Sequence, residues 1–99
     1  MIVNATRITV QPEKRTELVQ IIRRLLVPIQ NSKGCRTLGF YVDATDENSS
    51  LLLSEWETES DLDNYLSSDD FAILRGAIKV LSINSTESRA LVTTHAFRP

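Results

Sequence analysis

Tyr65, Arg75, Trp56, Phe71, Asn64 and Arg36 are side chains of the types that bind and transform small organic molecules. The phenol of Tyr65 both donates and accepts a hydrogen bond, so it can position a substrate oxygen or help remove its proton. Arg75, with Asn64 and Arg36, supplies donors that stabilise negative charge as it develops. Trp56 and Phe71 offer flat apolar surface. Trp56 suits either the wall of a site for a flat ligand or an anchor in a core or interface. Tyr65 also has two readings, as a site residue or as a helix residue packed on a sheet.

The remaining reactive groups support less. His95 is the only histidine, which rules out a multi-histidine metal site within one protomer. As a lone group it suits a general base or a surface position near the chain end. Cys35 follows a glycine turn and opens a strand. An activated thiolate needs a lowered pKa and a nearby base, so a small strand residue at an interface is the simpler reading. Asp69 and Asp70 are consecutive, so on a helix they point apart and do not form an acid/base pair. Compensation of the helix dipole accounts for them. Arg23-Arg24 reads as a solvated helix face.

The elements that position these residues belong to one domain over residues 1–99, with a core of modest size. A hydrophobic share of 41% and a charged share of 24% are those of a folded chain. The net charge of -2, with no basic cluster beyond Arg23-Arg24, argues against nucleic-acid binding. One cysteine excludes an intrachain disulfide and a multi-cysteine metal site. Met1 to Arg7 lacks the basic and apolar regions of a signal peptide, and no apolar run approaches the roughly 20 residues that span a bilayer. No membrane partner is expected, and the cytoplasm is the expected compartment. The triplets Asn4-Ala5-Thr6, Asn48-Ser49-Ser50 and Asn84-Ser85-Thr86 then read as chance glycosylation matches.

Ile2 to Val10 is rich in β-branched residues and predicts a strand, ended by Gln11-Pro12. From Glu13 onward, Leu18, Ile21, Ile22, Leu25, Leu26 and Ile29 recur at helical spacing. Pro28 lacks the N–H that would bond to Arg24 and should kink or end that helix nearby. Asn31 to Gly34 forms the exit turn. Arg36 to Val42 alternates, with Leu38, Phe40 and Val42 on one side and Cys35 and Tyr41 on the other. Asp43 to Ser50 connects to a strand over Leu51 to Glu57. Thr58 caps a short helix to about Leu66, and Ser68 caps another that carries Phe71, Leu74 and Ile78. Ser82 to Glu87 reads as a polar loop and Ser88 to Ala96 as the last strand.

This β-α-β-β-α-β order predicts an α+β, ferredoxin-like fold with both helices on one face of an antiparallel sheet. The strands are partly apolar on both parities, as Leu51 and Leu53 against Leu52 and Trp56 show. Helices cover only one face, so the other is expected to bury itself on a second copy.

The chain resembles the antibiotic biosynthesis monooxygenase (ABM) family along nearly its whole length. The resemblance rests on Arg7-Ile8-Thr9-Val10 in the first strand, the Gly34-Cys35 turn and the Glu55-Trp56 strand end. It rests also on Leu62, Leu66, Ser68 and Phe71 beyond them. It implies a dimeric α+β barrel, a homodimer joined through its sheet faces. It further implies a quinol-monooxygenase-like activity that oxidises a small aromatic, phenolic or quinol substrate with molecular oxygen, using no metal or flavin. The alternative is a non-catalytic dimeric module that binds a small molecule or only assembles. In such enzymes the pocket lies between sheet and helices, where Tyr65 and Phe71 would point. With the pocket so placed, the residue types make Tyr65 and Arg75 the expected catalytic residues, and Trp56, Asn64, Phe71 and Arg36 the expected substrate contacts. Tyr65 and Asp70 stand where many quinol-oxidising members have histidine, so no histidine-based mechanism is implied. The haem-degrading branch uses an Asn, Trp and His set whose matching positions here are Thr6, Tyr65 and Arg75, so a haem ligand is missing.

Overall fold

The computed structural model describes residues 1–92. In chain order these form β1 (Ile2–Val10), α1 (Arg15–Gln30), β2 (Cys35–Val42), β3 (Ser49–Trp56), α2 (Glu59–Leu66), α3 (Asp69–Leu81) and β4 (Ser82–Leu91). A single turn of 3-10 helix at Pro12–Lys14 leads into α1. Leu18, Ile22, Leu25 and Ile29 make the buried stripe of α1. The helix runs through Pro28 and stops at Gln30, within the turn where the missing N–H falls.

Both later helices begin at side-chain caps. Thr58 Oγ1 accepts from the Asp61 N–H at 3.0 Å, and Ser68 Oγ accepts from the Phe71 N–H at 3.1 Å. Gly34 turns the chain from α1 into β2 at a φ of 81°, and a Cβ there would run into the Asp61 carboxylate. Glycine alone meets both conditions without strain.

The sheet has the order β2-β3-β1-β4, and every neighbouring pair is antiparallel. Its helix-facing side carries Ile8, Val10, Leu38, Leu52 and Trp56, which join Leu18, Ile22, Leu62, Phe71 and Leu74 in the core. The opposite face has no cover from the described residues. Ala5, Leu53 and Gly39 form one row across it, and Arg7, Leu51 and Tyr41 the next. Leu51 and Leu53 are half-buried and Tyr41 is exposed. No helix among the described residues is long and apolar enough to cross a membrane.

Two expectations are corrected. Ser82 to Glu87 is strand, not loop: β4 begins where α3 ends and pairs with β1 from Val10 back to Ile2. Its polar side chains suit an exposed edge, and the ladder bonds to β1 outweigh its loop-like composition. The part of the expected last strand beyond residue 92 lies outside the described residues. Cys35 also changes sides. A bulge between Cys35 and Thr37 sets Cys35 opposite Trp56, so it packs against the core and not beside Tyr41.

Candidate functional site

A cavity of about 280 Å³ opens between α3 and the helix-facing side of the sheet. Its helix wall is Phe71, Arg75, Ile78 and Lys79. These residues recur at intervals that keep them on one side of α3. Its sheet wall is Thr6 of β1 with Ser85 and Glu87 of β4. Thr6 and Glu87 are cross-strand partners, and Ser85 pairs with the buried Ile8, so all three project toward the helices. Two other hollows lie elsewhere, one near Arg7 and Tyr41 on the open sheet face and one along the outer side of α1. The cavity between the layers alone is backed by stacked aromatic side chains.

That backing runs from the core to the cavity. The rings of Trp56 and Tyr65 stack with centroids 4.8 Å apart and planes 20° apart. Tyr65 meets Phe71 edge-on at 4.9 Å, and the Arg75 guanidinium sits 4.6 Å from the centre of the Phe71 ring. Each aromatic pair adds about 0.5–1.5 kcal/mol beyond its buried area. Trp56 has 0% exposure, and its indole N–H donates to Ser54 Oγ at 2.9 Å. With no exposed surface and its only donor committed, Trp56 supports the wall and does not form it.

Burial, with smaller effects from the negative charge of Glu87 and, once it ionises, of Cys35, pushes the Tyr65 phenol above its ordinary range. At neutral pH it holds its proton and acts as a hydrogen-bond donor, so the base role considered for it is disfavoured. Burial likewise pushes the Cys35 thiol up, which leaves it protonated and weakly nucleophilic.

The other expected residues scatter. Phe71 and Arg75 line the cavity and Tyr65 touches Phe71 from behind. Asn64 on α2 and Arg36 in the β2 bulge are exposed and lie apart from the lining. His95 is outside the described residues. Lys79, Ser85 and Glu87 had not been singled out as site residues. The interval Phe71-Arg75-Lys79 is a legible helical signal, whereas Ser85 and Glu87 were hidden by the loop reading of their segment. Among the described residues no three His, Cys, Asp or Glu side chains cluster as a metal site.

The strand order, the helices on one face and the cavity between layers define a ferredoxin-like α+β protein. Solved structures share this shape. One from Deinococcus radiodurans, proposed to be an antibiotic biosynthesis monooxygenase, matches with a TM-score of 0.92 over 100% of this chain and 99% of that one, at 13% identity. Another, from Mycobacterium tuberculosis, gives 0.88 over 97% and 98%, at 18% identity. At such identities the likeness carries the fold. The sequence profile of the antibiotic biosynthesis monooxygenase family matches residues 1–74, and the chain belongs to that family. An uncharacterised protein of Synechocystis is 31% identical over 70 residues, which span 71% of this chain and 48% of that protein. The match thus covers about half the length of this curated relative.

Proposed function

We propose that this chain is a cofactor-independent monooxygenase that oxidises a small phenolic or quinol substrate with molecular oxygen in the cavity between α3 and the sheet. The observation that carries the proposal is the row from Trp56 through Tyr65 and Phe71 to Arg75, in which a buried phenol stands directly behind the Phe71 and Arg75 that line the cavity. In this reading Tyr65 donates a hydrogen bond to the substrate oxygen as that oxygen or the adjacent carbon loses a proton, and Arg75 binds and orients the substrate from the helix wall. Phe71 lies against the ring, and Trp56 holds Tyr65 from behind. One atom of dioxygen enters the substrate carbon. The other leaves as water with the two hydrogens the substrate gives up, so the substrate supplies the electrons. Asn64 and Arg36 take no part.

Size supports a compact substrate. A cavity of about 150 Å³ holds benzene, and about 280 Å³ therefore suits one or two rings. The proposal extends to a cytoplasmic homodimer joined through the open sheet face, because Leu51, Leu53 and Tyr41 otherwise stay partly exposed.

Oxygen uptake with naphthols, naphthoquinols and anthrones tests the activity. Turnover above autoxidation is expected, and Tyr65→Phe should lower kcat about a hundredfold, as loss of an oxyanion donor does. No turnover, or full activity in Tyr65→Phe, overturns the proposal. Saturable binding without uptake would instead favour the non-catalytic ligand-binding module.

A further inference from the structure

The cavity has walls of opposite charge. Arg75 and Lys79 stand one turn apart on the helix wall, and Glu87 faces them from the sheet wall with Thr6 and Ser85 beside it. None of the three charged groups takes part in an ion pair among the described residues. The place of Arg75 over the Phe71 ring keeps its guanidinium at the cavity edge. Two cations and one carboxylate leave a surplus positive charge, which a ligand with a single carboxylate neutralises.

We infer that the cavity selects a bipolar aromatic ligand, a hydroxyaromatic acid of one or two rings. Its carboxylate meets Arg75 and Lys79, and its hydroxyl donates to Glu87. The inference rests on this cavity being the ligand site proposed above, and it adds the chemical class. The guanidinium of Arg75 matches a carboxylate with paired donors, and the Lys79 ammonium adds a point charge one turn away. An ionised Glu87 is an acceptor only, so it takes a hydroxyl and repels a second carboxylate. The two walls therefore set the ligand's direction as well as its class. Aromatic hydrocarbons leave both walls unmatched, and dicarboxylates place a negative charge against Glu87. With its carboxylate at the helix wall, the ring lies near Phe71 and the stack behind it.

Equilibrium binding of three probes, followed by their fluorescence, tests this. The probes are naphthol, naphthoate, and a hydroxynaphthoate whose two groups lie at opposite ends of the rings. The hydroxynaphthoate should bind about tenfold more tightly than either single-function probe, the ratio for one hydrogen bond to a charged group. Arg75→Gln and Lys79→Gln should each erase most of the advantage of naphthoate-type probes over naphthol. Glu87→Ala, which removes the acceptor, should erase the advantage of the hydroxynaphthoate over naphthoate while leaving the carboxylate preference intact. All three positions are exposed, so far-UV circular dichroism should show the fold unchanged. Equal affinity for the three probes, no saturable binding of any, or a Glu87→Ala variant that keeps the wild-type order overturns the inference. Because the readout is binding, a failure of oxygen turnover leaves the result standing.

Discussion

Tyr65 links the core to the cavity, and its environment decides which chemistry it can support. One face lies on Trp56, its edge meets Phe71, and its residue exposure is 4%. Burial favours the neutral phenol in the folded state more than in the unfolded chain. The stability that follows is fully present below the unfolded phenol value of about 10 and is lost as the pH rises beyond it toward the folded value. Urea melts across the alkaline range should therefore show wild type losing stability more steeply above pH about 10 than Tyr65→Phe does. Parallel slopes would remove burial as the cause. At neutral pH the variant keeps its stacking on Trp56, so any loss of oxygen uptake there reports on the hydroxyl.

At the scale of elements, the caps and the glycine turn hold the site in register. Ser68 does two things: its Oγ accepts from the Phe71 N–H, and its hydroxyl donates to the Tyr65 carbonyl at 2.6 Å. The end of α2 and the start of α3 are thereby tied to each other, and with them the two rings. Thr58 caps α2 away from the cavity. Ser68→Ala and Thr58→Ala should each cost about 1 kcal/mol in chemical denaturation. Only Ser68→Ala should also weaken ligand binding. Gly34→Ala should cost more than either cap, because it forces a side chain onto a φ of 81° and into Asp61. A Gly34→Ala protein as stable as Thr58→Ala would show that the turn relaxes freely.

For the whole molecule, the face of the sheet that the described residues leave uncovered is the main consequence of the fold. Leu53 lies in its middle strands, paired with Ala5 on one side and Gly39 on the other. The Tyr41 side chain covers Gly39, where any Cβ would meet its ring. An aspartate at Leu53 would put an unpaired charge into the proposed dimer contact. Sedimentation velocity should show wild type as a dimer and Leu53→Asp as a monomer with unchanged secondary structure. A monomeric wild type at every concentration tested would refute assembly through this face.

Local patterns carried much of this protein. The spacing of Leu18 to Ile29 predicted α1, Thr58 and Ser68 announced their helices, and Gly34 and Glu55-Trp56 pointed to the family. Phe71 and Arg75 were legible as neighbours on one helix face, because four residues bring a helix round to nearly the same side. Tertiary structure decided the rest through contacts between residues far apart in the chain. β4 exists along Ser82 to Glu87 because β1 offers it a ladder, and Glu87 reaches the cavity because it pairs with Thr6. A bulge moved Cys35 into the core. The upward shift of the Tyr65 phenol follows from its burial, a quantity that no stretch of sequence contains. The amino-acid order set the elements and their amphipathic faces; only packing brought acidic and basic walls together around one cavity.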